Sequence, residues 1–497
     1  MNQRIVKEIR VLLPAFGLTL LAAAFPFLRL GEDADFWTTA LFTLGCLFMG
    51  VEAFGNDLHH GTLSLLLIQP LRRGSIWREK MQVLGFALAL SGIVSAILLL
   101  FSNAGNRNHL LLTIAIVPLC VFLTSPFWTL LLRNTMAAIV FTAMVPTLIV
   151  GANYAVLEYL SGSSKLAGIS AVVLMIIYCG TCCWAAYRRF GQYELVDKQS
   201  MILSRELSIP ARFEGMLRAL TTGAKTPLIA LIKKELRLQQ VTFVAALGFC
   251  VLAIVGAAAH ASHITVSNNS LAEIIWAFDF YVYVVLLPLV AGAIAVTEEK
   301  MWGVVDWHKT LPPRARNQWL VKIFVALGSS LLLGVVLPLA VSWGLNLLSI
   351  RTIPFEVAPL VIGQVLLMSV AIYAGSLSTT TARGILLAIG IVVLGAWSVS
   401  VGHTTAAAYP EGLRRIIDTF WPVHLRPASA SRWISVVSFL GLCGLVHRFA
   451  FTAYRQRLTI LHRGLQLLVL AVLAWLVTVV AYVVSGLQAA SAVAHAI

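Results

Sequence analysis

Charge is scarce in this chain of 497 residues: Asp, Glu, Lys and Arg together make up 11% of it, against roughly a quarter in soluble domains. With 59% of the residues hydrophobic, a water-soluble globular fold is excluded, and so is disorder. Cysteine is sparse too. All seven, Cys46, Cys120, Cys179, Cys182, Cys183, Cys250 and Cys443, fall in apolar runs and read as packed thiols rather than a disulfide scaffold. Cys179 and Cys182 form a C-x-x-C with no second pair at metal spacing. There is no G-x-x-x-x-G-K-[ST]; GAKT at 223–226 lacks the Gly-rich lead. H-E-x-x-H, G-x-S-x-G and paired intramembrane carboxylates are missing as well, so nothing in the chain points to catalysis or to a resident cofactor.

What the chain has is apolar length. Windows of about 19 residues place spans near 11–29, 36–55, 83–101, 110–132, 136–158 and 167–187, then near 241–259, 274–296, 323–347, 357–377, 384–402, 434–452 and 465–485. The expected fold is an all-α polytopic membrane protein. The run at 11–29 follows a basic start and also fits a signal peptide, but its counterpart in the second half cannot be one, which favours an uncleaved span.

Acidic residues number 21 against 36 basic ones. In a membrane chain that excess marks cytoplasmic loops, not nucleic-acid binding. With the N-terminus in the cytoplasm, 28 of the 36 basic residues fall on inside segments, a strong positive-inside bias. The expected location is the cell inner (plasma) membrane, multi-pass. Four of the exceptions, Arg414, Arg415, Arg426 and Arg432, lie in one outer loop, 403–432.

Sliding the chain over itself by 242 residues brings Leu47, Gly50, Ala53, Gly61, Pro70, Arg72, Trp77 and Lys80 onto Leu289, Gly292, Ala295, Gly303, Pro312, Arg314, Trp319 and Lys322. These are eight identities in 34 positions, where about two or three arise by chance. Lys7, Glu8 and Arg10 of KEIR likewise match Lys234, Glu235 and Arg237 of KELR, each ahead of its half's first span. AAYRR, with Tyr187, matches TAYRQ, with Tyr454. The expected plan is two parallel six-helix repeats plus one extra C-terminal span, giving 12–13 transmembrane helices. Its parts are 1–190, a basic connector at 191–240, 241–460 and 461–497. The connector ends in LIALIKKELRL, where Ile229, Ile232 and Leu236 oppose Lys233 and Arg237 as on a helix lying in the inner interface.

The loop between the second and third spans of each half, GNDLHHGTLSLLLIQPLRRGSIWREK and TEEKMWGVVDWHKTLPPRARNQWLVK, is far longer than a hairpin needs. Gly61 and Gly303 can end a helix, Pro70 and Pro312 stop one, and Leu65, Leu66 and Leu67 form a short apolar segment between. The segment fits either interfacial helices on headgroups or a docking surface for a soluble partner. Its duplication favours docking.

This order of residues resembles the permease subunits of type 2 ATP-binding cassette (ABC) exporters, over roughly 1–190 and 225–460. The resemblance implies that the loops are coupling helices, with Gly61, Thr62, Leu65, Leu66, Pro70, Arg72 and Lys80 in the first and Glu298, Glu299, Gly303, Pro312, Arg314 and Lys322 in the second. The second departs from the pattern at Val304 and Asp306. It further implies that the pre-span segments are connecting helices, with Lys7, Glu8 and Arg10, and Lys234, Glu235 and Arg237. The implied partner is an ABC ATP-binding subunit, in two copies, holding ATP and Mg; this chain would hold no cofactor and would not itself be an enzyme.

Among intramembrane charges, Glu52 reads as an interfacial carboxylate and Asp279 as a candidate for lining a substrate path; His59 and His60 read as interfacial. The alternative function is an ion-coupled secondary transporter with six-plus-six repeats. That class calls for a short G-x-x-x-D-R-x-G-R-type loop and mid-membrane charge, of which this chain has little.

Overall fold

A computed structural model describes residues 3–24, 34–59, 62–63, 72–101, 107–161, 164–192, 227–261, 271–301, 315–347, 357–408, 430–455, 462–473 and 476. These are almost wholly helical: α1 Gln3–Ala24, α2 Ala34–His59, α3 Arg73–Phe101, α4 Arg107–Leu132, α5 Thr135–Ser161, α6 Ser164–Gly191, α7 Pro227–Leu238 and α8 Gln240–Ala261. There follow α9 Leu271–Met301, α10 Ala315–Leu331, a π turn Leu332–Val336, α11 Leu337–Leu347, α12 Val357–Leu377, α13 Thr381–Ala408, α14 Ala430–Arg455 and α15 His462–Leu473. Among the described residues, eight helices are long and apolar enough to cross a bilayer, or nine if the pair α7–α8 is one span bent by 50°. The chain is therefore an all-α, multi-pass membrane protein.

Two compact units form, residues 1–291 with 312–364, and residues 292–311 with 365–497. In the first unit α2 is central: 89% of its apolar window is buried, against 28% for α3. Its small residues allow this. A Cβ on Gly45 would overlap Thr19 of α1, and one on Gly50 would overlap Val121 and Ser125 of α4, so both neighbours approach to backbone distance. By contrast, α3 turns one stripe inward, Ile76, Trp77, Lys80, Leu84, Leu88 and Leu99, while Phe86, Ile93, Ile97 and Leu100 stay exposed. An apolar helix with an apolar exposed face is what lipid permits.

The turn between α4 and α5 is two residues long. Arg133 adopts φ 53°, the left-handed C-terminal stop, and the Asn134 side chain accepts from the backbone N–H groups of Met136 and Ala137 at 3.0 and 3.1 Å, capping α5. Two boundaries differ from the hydropathy reading. The amphipathic start of α1 runs into the apolar run without a break, and α3 begins ten residues before the apolar run at 83, because Ile76, Trp77 and Lys80 of its first turns are buried while Arg73, Arg78 and Gln82 face outward. In α7 Glu235 is buried, Ile232 and Leu236 are half-buried, and Ile229 and Arg237 are exposed.

In the second unit, Gly292 crosses α12 so closely that a Cβ would stand 2.7 Å from the Met368 carbonyl oxygen and 2.8 Å from the Ala371 Cβ. Thr297 donates to the Ala293 carbonyl and accepts from the Thr381 hydroxyl at 2.8 Å. That polar stitch joins α9 to the start of α13.

Candidate functional site

In the first unit, Lys80 of α3 is buried, with its side chain 3% exposed. A buried ammonium must be paired, and Lys80 is: it donates to Glu8 Oε1 at 2.8 Å and to the Ala53 carbonyl at 3.0 Å, and it stands 2.6 Å from Asp57 Oδ2 in an ion pair. Asp57, near the end of α2, also accepts from Lys7 at 2.8 Å and from the Thr62 hydroxyl at 2.6 Å. Two cations and two carboxylates thus tie α1, α2 and α3 together at one end, with Thr62 as the first described residue of the loop that follows α2. Burial raises Glu8 above the ordinary carboxyl range even though Lys80 opposes it.

An aromatic wall flanks this cluster on one side. Lys80 lies 5.6 Å over the Phe54 ring, and Trp77 packs between Phe54 at 5.1 Å, Phe190 at 5.3 Å and Tyr187 at 6.0 Å. The end of α6 is thereby joined to the three charged helices. Such shielding strengthens each ion pair and makes a lone charge there costly.

In the same unit, Lys322 of α10 meets Glu235 of α7 at 2.9 Å, both side chains 2% exposed. Lys234 stands 3.6 Å from the same carboxylate. In the second unit, Glu299 accepts from Tyr454 at 3.4 Å, and Glu298 is half-buried. Arg10, Arg72 and Arg237 are exposed. Gly61, Leu65, Leu66, Pro70, Gly303, Pro312 and Arg314 lie outside the described residues; Asp279 is on α9, with its side chain outside them.

Sequence reading missed Asp57. The signal was present, since Asp57 stands 242 residues before Glu299, but an identity count passes over an Asp–Glu match. It also missed a polar knot in the first unit. Gln364 of α12 accepts from Ser330 at 2.8 Å and donates to the Val284 carbonyl at 2.6 Å, and its amide occupies the space a Cβ on Gly334 would need. Beside it the Tyr283 hydroxyl donates to the Leu333 carbonyl at 2.8 Å. The signal was a lone Gln and a lone Gly inside apolar runs.

Among the described residues, no group of three or more His, Cys, Asp or Glu is placed to hold a metal. All seven cysteines are free thiols, buried or half-buried. No protein-family model matches the chain, and neither does any curated protein or solved structure.

Proposed function

We propose that the chain is the membrane-spanning permease subunit of an ATP-driven ABC transporter, two six-span units fused in one polypeptide, exporting a hydrophobic or amphiphilic substrate along a path between its halves. The observation that carries this reading is the paired lysine anchor. Lys80 holds Glu8, and Lys322 holds Glu235; the lysines correspond at an offset of 242 residues and the glutamates at 227. In each half, the segment that leads into the first span is thus pinned to the helix after the long loop. A second correspondence supports the repeat: the matched Gly50 and Gly292 each make a close crossing, with α4 and α12 respectively, which are the fourth spans of their halves.

In this reading ATP and Mg are held by separate nucleotide-binding subunits, two per chain, which dock on the loops running from Gly61 to Arg72 and from Gly303 to Arg314. The loop after α2 begins at the ion cluster, through Thr62, and ends on α3, which carries Lys80. A pull on the loop therefore acts directly on the buried pair Lys80–Asp57, whose charges cannot separate cheaply. Transmission requires that the ATPase bind the two permease conformations with different affinity. The N-terminus and both loops lie in the cytoplasm, and Asp279 is the candidate charge on the substrate path.

The test is a mild-detergent pull-down of the full tagged chain from its native membranes, with mass spectrometry for a soluble partner carrying a phosphate-binding loop. A stoichiometric ATPase, reduced by replacing Gly61 or Pro70 with a bulky helix former while membrane insertion is unchanged, is the expected result. A chain that purifies alone and drives proton- or sodium-dependent uptake in vesicles overturns it in favour of a secondary transporter.

A further inference from the structure

The outward face of α6 in the first unit is apolar for most of its length and basic at one end, and both parts lie on one stripe. Only 22% of the apolar window of this helix lies inside the protein. Ile169, Val173, Ile176, Gly180 and Trp184, three or four residues apart, are all exposed, and Tyr187 and Arg188 continue the stripe by one more turn. From Ile169 to Trp184 the stripe is about 22 Å long, against roughly 15 Å for the hydrocarbon of one leaflet. It is also notched. A Cβ on Gly180 would meet no atom within 4 Å, which leaves open space between the exposed side chains of Ile176 and Trp184.

At the basic end two arginines come to the last turn of α6. Arg188 lies over the Trp184 ring, 5.4 Å from its centroid, as a helical side chain leaning toward the preceding turn does. Arg73 of α3 reaches across to donate to the Gly191 carbonyl, three residues beyond Arg188, and the Tyr187 hydroxyl stands 3.7 Å from where a Cβ on Gly74 would be. Among the described residues, the Arg188 side chain makes no hydrogen bond, and Arg73 uses one of its five N–H donors. Neither helix offsets them with a carboxylate. No Asp or Glu occurs in α6, and the only one in α3, Glu79, lines the cleft that α3 forms with Arg4, Lys7 and Glu8 of α1.

We propose that this face binds an anionic phospholipid of the leaflet at that end, its phosphate held by Arg188 and Arg73 and an acyl chain running past Trp184 and the Gly180 notch toward Ile169. Exposed Trp and Tyr beside the arginines suit the headgroup boundary, and the uncompensated positive charge selects an anionic lipid over a zwitterionic one. A second copy of the chain fits the face less well, because a twofold axis along the membrane normal would set these arginines against their own equivalents. The site lies wholly on α3 and α6 and stands whether or not the chain docks an ATPase.

The test reconstitutes the full chain in nanodiscs of phosphatidylcholine with a minor share of phosphatidylglycerol, with bromine on the acyl chains of one lipid or of the other. The fluorescence of Trp184 is read as the difference between the wild-type chain and Trp184→Phe. Brominated phosphatidylglycerol is expected to quench that component about fivefold more, mole for mole, than brominated phosphatidylcholine. Arg188→Gln should remove most of this preference, Arg73→Gln should reduce it, and Arg188→Lys, which keeps the charge, should retain it. Equal quenching by the two lipids in the wild-type chain, or a preference unchanged in both glutamine variants, overturns the proposal. Absence of quenching by either lipid also overturns it, since the face would then be covered by protein.

Discussion

Tyr283 reaches the carbonyl oxygen of Leu333 at 2.8 Å, in the place of the backbone N–H that Pro338 lacks. In the π turn Leu332–Val336, Leu337 N–H bonds the Leu332 carbonyl, so the next bond in that register would run from residue 338 to Leu333. Proline has no proton to give, and in a bilayer no water replaces it. A π turn otherwise unexplained in an apolar helix is thus an orphaned carbonyl captured by a tyrosine from α9.

Tyr283→Phe should therefore destabilise the chain by about 1–2 kcal/mol, the cost of leaving that carbonyl unpaired. Pro338→Ala restores a backbone donor and should remove most of the penalty. The check is the thermal midpoint in detergent of the two single variants and the double variant. Additive losses would mean that the hydroxyl serves some other partner.

At the ion cluster, Lys80→Met leaves Glu8 and Asp57 buried with Lys7, half exposed, as their remaining cation. The expected loss is about 3–5 kcal/mol. Glu8→Gln keeps an acceptor for Lys80 and sheds the cost of a buried charge, so it should be much milder. The ordering, read as thermal midpoints of the purified variants, distinguishes a dry cluster from a solvated surface bridge, which is worth at most about 1 kcal/mol.

The pH dependence at Glu8 has a definite sign. Its carboxyl lies above its ordinary value in the fold because burial outweighs the attraction of Lys80. The folded chain therefore binds that proton more tightly than the unfolded chain does, and this contribution to stability falls as the pH rises through the range from the ordinary value of 4.5 to the raised one. Relative to Glu8→Gln, the wild-type chain should gain stability as the buffer is taken from neutral to below 4.5, measured by the difference in their thermal midpoints. A flat difference would place Glu8 in water, and a reversed one would mean that the attraction of Lys80 outweighs burial.

How far the sequence led depended on which physical signal each feature leaves. Apolar length marked the membrane helices, because a bilayer demands it whatever the neighbours are. Helix ends were less legible: α3 starts at Arg73, since Lys80 is satisfied by carboxylates distant in sequence, and hydropathy counts it only as a charge. Lys80, Glu8, Lys322 and Glu235 were found through internal matching. Their pairing was not, because a match between two lysines does not say which carboxylate each one meets. The knot around Gln364 left only single polar letters in apolar runs, and the π turn depends on one proline and one distant tyrosine.

The pair in the second half offers the sharpest comparison. Glu235 and Lys322 are both 2% exposed and 2.9 Å apart, so either charge reversal alone, Glu235→Lys or Lys322→Glu, buries two like charges together and should cost several kcal/mol. Lys234, 3.6 Å from Glu235, makes the two reversals unequal. Glu235→Lys gathers three cations, whereas Lys322→Glu leaves two carboxylates facing one lysine and should be the milder. The double reversal restores one buried pair and should recover most of the stability, giving a large favourable coupling in the cycle. If α7 moved freely on α10, no coupling would appear. Its presence would mean that a displacement of α10 carries the start of α8 with it, which is the mechanical property a docking loop ahead of α10 would need.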